Sequence, residues 1–165
     1  MTSREFIDLL QKQFPAFGKK VICDVTAKGE EFFELIYPNN NLPAYPLALT
    51  VFEDGALISF GNLQNITGGK RLSFDETLQA ISDVIEDRIV FTLCYQNAED
   101  KADGKISDRR VFLLTEDADD MSEEYENLIE QIKKPIGRWP RFLTPLKGIF
   151  VFMNFSGSVN FELTR

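Results

Sequence analysis

Residues 47–61 read LALTVFEDGALISFG: two strand-like apolar runs, LALTVFE and ALISFG, joined by Asp54-Gly55. Asp-Gly is a dipeptide that tight primed turns prefer, because such turns need positive φ at their centre. The stretch predicts an antiparallel hairpin, and the rest of the chain repeats its grammar. Upstream, KKVICDVTAKGEEFFELIYP contains β-rich runs at about 20–26 and 31–37 around AKGE, a second hairpin with Gly29 at its turn. Between the two hairpins, PNNNLPAYP holds three Pro and three Asn and reads as a loop.

Helical patterns flank these hairpins. Residues 2–14 open with Thr2 and Glu5, a capping box, and place Phe6, Leu9, Leu10 and Phe14 on one face before Pro15. Residues 73–87 open with Ser73 and Glu76 and place Phe74, Leu78, Ile81 and Ile85 together. RIVFTLCYQ, 88–96, is apolar without alternation, as in a strand covered on both faces. NAEDKADGKISD reads as a polar loop, RRVFLLT as a strand, and about 121–134 as a helix with Met121, Tyr125, Leu128, Ile129 and Ile132 on one face. GIFVFMNF and SVNFELT close the chain as strands across Ser156-Gly157. In the last, Val159, Phe161 and Leu163 alternate with Asn160 and Glu162, the mark of a sheet with one wet face.

The order is α-ββ-ββ-α-ββ-α-ββ. Hairpins dominate, so the expected fold is α+β: a mainly antiparallel sheet with about three helices packed on it, in one domain over 1–165. At 165 residues the chain is about one domain long. Its 15 Phe against one Trp point to a Phe-rich core.

Charge narrows function. The formal net charge of −8 disfavours nucleic acid, whose phosphates repel an acidic chain. Anionic membrane surfaces are disfavoured too, and no run approaches the roughly 20 apolar residues of a span. The start, MTSREFIDLLQK, lacks a basic region followed by an apolar one, which sets the expectation of a cytoplasmic protein. In a reducing compartment Cys23 and Cys94, each in an apolar run, read as buried thiols. The chain has no His. Ser-His-Asp and Cys-His catalysis and His-based zinc sites are excluded as usually built, so no catalytic residue, metal or cofactor is assigned.

Several stretches offer binding chemistry. EDADDMSEEYE, 116–126, carries seven carboxylates and no base. A few would favour a helix N-terminus through its dipole. The surplus suits a basic protein partner, with Asp117, Asp119, Asp120, Glu123 and Glu124 as contacts. KKPIGRWPRFLTPLKG, 133–148, is its basic counterpart, with Trp139 and Arg141 as a hot-spot pair. NITGGKR, 65–71, follows a strand and precedes a helix like a phosphate loop. However, Gln64 stands where the first Gly belongs, and Arg71 where magnesium needs Ser or Thr. What remains is a looser anion site at Lys70 and Arg71. A calcium loop around Asp103-Gly104 fails on Arg110 at its twelfth position. Glu30, Glu31, Glu34, Asp24 and Glu53 are candidates for paired-carboxylate chemistry, subject to their separation in space. The alternative to a protein-binding domain is a small-molecule-binding domain or His-free enzyme with a Phe-lined pocket, its polar edge drawn from Tyr37, Asn39, Tyr45, Arg71 or Tyr95.

LTVFEDGALISFG, then SFDETLQAISDVIED, then RIVFTLCYQ resembles small acidic bacterial proteins that are uncharacterised or assigned as immunity proteins of toxin systems. The resemblance covers about residues 49–96. In many such proteins a strand ending in Phe-Gly leads into a motif with Trp and His; here Phe60-Gly61 is followed by Asn62-Leu63-Gln64-Asn65. It implies a cytoplasmic binding protein that blocks a partner, with no catalytic residues.

Overall fold

The structure, a computed structural model of the 165-residue chain, describes residues 1–18, 21–61, 70–113, 119–133 and 148–164. These fall into two compact units, Met1–Ile85 and Glu86–Arg165.

The first unit is built on four strands: β1 (Ile22–Val25), β2 (Glu31–Tyr37), β3 (Leu47–Val51) and β4 (Ala56–Phe60). They lie in sequence order, each antiparallel to the next. The register sets Leu49 opposite both Leu35 and Ile58, and Val51 opposite Phe33 and Ala56. Because strand side chains alternate, one face collects Phe33, Leu35, Leu47, Leu49, Val51, Ile58 and Phe60, all buried. Each fully buried Leu, Ile or Phe contributes roughly 1.5–3 kcal/mol relative to exposure.

Helices α1 (Ser3–Gln13) and α2 (Phe74–Ile85) complete this unit. Both begin with the expected capping boxes. Thr2 Oγ1 accepts from Glu5 N while Glu5 Oε2 accepts from Thr2 N at 2.7 Å, and Ser73 and Glu76 are joined in the same way. Phe6 stacks on Phe74 with ring centroids 4.5 Å apart. The stripes differ slightly from expectation. In α1, Ile7 takes the core position beside Phe6 and Leu10, and Leu9 is 41% exposed. In α2, Thr77 and Val84 are buried with Ile81; Thr77 tolerates this by donating its hydroxyl to Ser73 O at 2.7 Å.

The second unit holds β5 (Ile89–Tyr95), α3 (Ala98–Ala102), β6 (Asp108–Leu113), α4 (Asp119–Lys133), β7 (Ile149–Met153) and β8 (Asn160–Thr164). Its sheet order is β6-β5-β7-β8, again antiparallel. β5 is buried at every position, as its unbroken apolar run predicts. Leu128 and Ile132 of α4 form a core cluster with Val90, Cys94, Phe150 and Phe152; Tyr125, Ile129, Val159 and Leu163 pack against it. Alternation in β8 puts Phe161 onto Phe152, centroids 4.7 Å apart, and turns Glu162 to an ion pair with Lys101.

The α+β class and the antiparallel hairpins are as expected, and the eight strands among the described residues are shared between two sheets. Two local expectations need correction. The supposed loop 97–108 contains α3, because Asn97 Oδ1 caps Asp100 N at 2.8 Å. Cys94 is buried, but Cys23 is exposed, because β1 is a terminal strand with every residue exposed.

Candidate functional site

Three short segments meet at one end of the first sheet. The β1–β2 turn closes through Gly29 N donating to Thr26 O at 2.9 Å, with Gly29 at φ 85°. It delivers Glu30 and Glu31. The β3–β4 turn closes through Phe52 N to Gly55 O at 2.8 Å and delivers Glu53 and Asp54. The third segment is 70–72, where Leu72 and Ala56 exchange both backbone hydrogen bonds at 2.9 Å. That approach demands glycine at 55: a Cβ there would sit 2.2 Å from Leu72 O.

The pairing with Leu72 carries Arg71 into place. Its Nη1 and Nη2 donate to Glu30 Oε1 and Oε2 at 2.6 and 2.7 Å, and Nη1 also donates to Asp54 Oδ1 at 2.6 Å. The guanidinium carbon lies 3.6 Å from the centre of the Phe52 ring. This is a two-pronged carboxylate pair with a cation–π contact behind it. The hydrogen bonds from Arg71 hold the Glu30 carboxyl below its usual range, and Glu30 in turn raises Arg71. Arg71 thus faces two carboxylates of its own chain, and an incoming anion would compete with both. Lys70, its neighbour in the suggested anion site, is exposed.

Beside this cluster lies an open cleft of about 620 Å³, lined by Met1–Arg4, Gly29, Glu30, Glu31, Phe33 and Glu53. Capping of α1 at Thr2 sets Arg4 over the sheet, its guanidinium carbon 6.0 Å from the Phe33 ring centre. Glu31 accepts from Cys23 Sγ at 3.2 Å, and this bond raises the thiol above its ordinary range. Carboxylates from the two turns therefore border one concavity, and among the described residues Phe33 is the sole ring in its lining.

Asp119, Asp120, Glu123 and Glu124 belong to the first turns of α4. Asp117, Trp139 and Arg141 lie outside the described residues. Of the suggested pocket edge, Tyr37 packs edge-on to Phe17 at 5.2 Å, and Tyr45 stacks on Phe60 at 5.7 Å. Asn39 Oδ1 accepts from the Asn41 and Leu42 amides. Tyr37 and Arg71 stand at opposite ends of β2, and Tyr95 belongs to the second unit. Phe6, Phe17, Phe60, Phe91 and Phe152 are fully buried core rings. Among the described residues no group of three His, Cys, Asp or Glu gathers to hold a metal, and no helix is long and apolar enough to cross a membrane.

The roles of Arg4 and Phe33 were not visible in sequence. Neither residue type is unusual in its local pattern, and only the packing of α1 on β2 brings them together. No protein-family model, curated protein or solved structure matches this chain.

Proposed function

We propose that this protein is a non-enzymatic, cytoplasmic protein-binding domain of immunity type, which blocks a basic partner by covering it with an acidic surface. The observation that carries this reading is the distribution of charge. Arg71, Lys101, Lys105 and Arg88 each pair with a carboxylate of their own chain. The net charge is −8, so the surplus is carboxylate, and Glu31 and Glu53 bring part of it to one cleft. Such a surface steers a cationic partner and repels nucleic acid. The carboxylates of Asp117, Asp119, Asp120, Glu123 and Glu124, with Trp139 and Arg141, form a second contact region in this reading.

A small-molecule site or His-free enzyme is less well supported. The phenyl rings named above serve as core, and the cleft lining is mostly polar.

The test is an ionic-strength series on the complex between the full chain and the protein it captures. The affinity is expected to fall steeply between about 20 mM and 0.5 M salt. Lysine at positions 119, 120, 123 and 124 together should weaken it at low salt. An affinity that stays flat over that range removes charge as the driver.

A further inference from the structure

Resting on that reading of an acidic partner surface, we infer that the exposed edge of β1 is where the partner docks, as an extended basic segment that adds a fifth strand to the first sheet.

β1 is terminal in its sheet. Thr26 N donates to Glu30 O, which fixes the phase of the antiparallel ladder. Hydrogen-bonded and non-bonded pairs alternate from there. Asp24 and Ile22 therefore face β2 through their backbone, while Cys23 and Val25, opposite Phe33 and Glu31, turn their N–H and C=O groups outward. The Val25 amide supports this phase, because it donates to its neighbour's Asp24 Oδ1 at 2.7 Å rather than to β2. An edge of this kind is a template for another strand, and natural proteins commonly guard it with a charge. Asp24 is such a guard, and it is one that a cationic segment would relieve.

The side chains specify the occupant. One face beside the edge carries Ile22, Asp24 and Glu34; the other carries Val25 and Glu31. Ile22 and Val25 are 43% and 56% exposed, and among the described residues Asp24, Glu31 and Glu34 have no ion-pair partner. A strand alternating apolar and basic residues would lay its apolar side chains over Val25 on one face and set its cations beside Asp24 and Glu34 on the other. A second copy of this chain would instead bring Asp24 toward its like, between molecules of charge −8 each. Two of the other edges are engaged. β4 is paired with Leu72, and Glu162 of β8 is engaged by Lys101.

The test uses the full chain and an end-blocked peptide, Lys-Val-Lys-Val-Lys-Val, with fluorescence anisotropy for affinity and amide hydrogen exchange for location. The peptide should bind at low salt and protect the Cys23 and Val25 amides. Methylation of alternate peptide nitrogens, which removes the strand-pairing donors, should weaken binding at least about tenfold. Asp24→Lys should do the same while the Leu49 amide stays protected, which reports an intact sheet. If the methylated peptide binds as well as its parent, or protection falls away from β1, the edge inference fails and the acidic-surface reading stands. If the parent peptide does not bind at low salt, both fail. If the chain alone dimerises and protects the same amides, a second copy is the occupant and the inference is overturned.

Discussion

Gly55→Ala is the substitution that most directly tests how the acidic end of the first sheet is assembled. The added Cβ would lie 2.2 Å from Leu72 O and 3.1 Å from Leu72 C, and both atoms are backbone, so no side chain can swing aside. Gly55 also sits at φ 155°, a region that residues with a Cβ rarely adopt. Backbone strain of this kind costs of order 1–3 kcal/mol. Relief by moving segment 70–72 away would break the two Ala56–Leu72 hydrogen bonds, at about 0.5–1.5 kcal/mol each. The two routes compete, so the expected destabilisation is about 1–3 kcal/mol. Urea unfolding should show a lower midpoint at unchanged slope. Amide exchange should show lost protection at Ala56 and Leu72, and the Arg71–Glu30 contact should loosen with it. A variant within about 0.5 kcal/mol of the parent, with both amides still protected, would refute the reasoning.

Two further outcomes follow from the same structure. Glu30 titrates below the ordinary glutamate value of 4.5 because Arg71 bonds its carboxylate. The stability it contributes should be complete above that value and lost as pH falls through the lowered one. Arg71→Met should therefore flatten the acid limb of a urea-midpoint-versus-pH curve and return the Glu30 carboxyl resonance toward an ordinary titration. In the second unit, Thr92 is 2% exposed, and its hydroxyl has no hydrogen-bond partner among the described residues. Thr92→Val keeps the shape and removes that cost, so the urea midpoint should rise by an amount equivalent to about 1 kcal/mol; a fall would mean that the hydroxyl is satisfied.

Local order was legible in the sequence because it depends on neighbours along the chain. Asp54-Gly55 gave the hairpin, and Thr2 with Glu5 and Ser73 with Glu76 gave two helix starts. The unbroken run 89–95 gave a strand buried on both faces, and the spacing of Leu128 and Ile132 gave the inner stripe of α4. The helix at Ala98–Ala102 was missed because a single Asn cap is a weak signal in a polar stretch. Leu9 was misplaced because two adjacent apolar residues, Leu9 and Leu10, leave the facing of a helix open by a third of a turn.

Whatever depends on which segments meet was decided by tertiary structure. Composition alone established an acidic, His-free chain and the chemistry this excludes. It could not say that Arg71, read as an anion ligand, would spend its guanidinium on Glu30, 41 residues away, nor that Cys23 would lie on an open edge. A strand looks the same in sequence whether it ends a sheet or sits within it, and a charge pair across the chain has no periodicity. The order of strands and the closing of Leu72 onto Ala56 determined both.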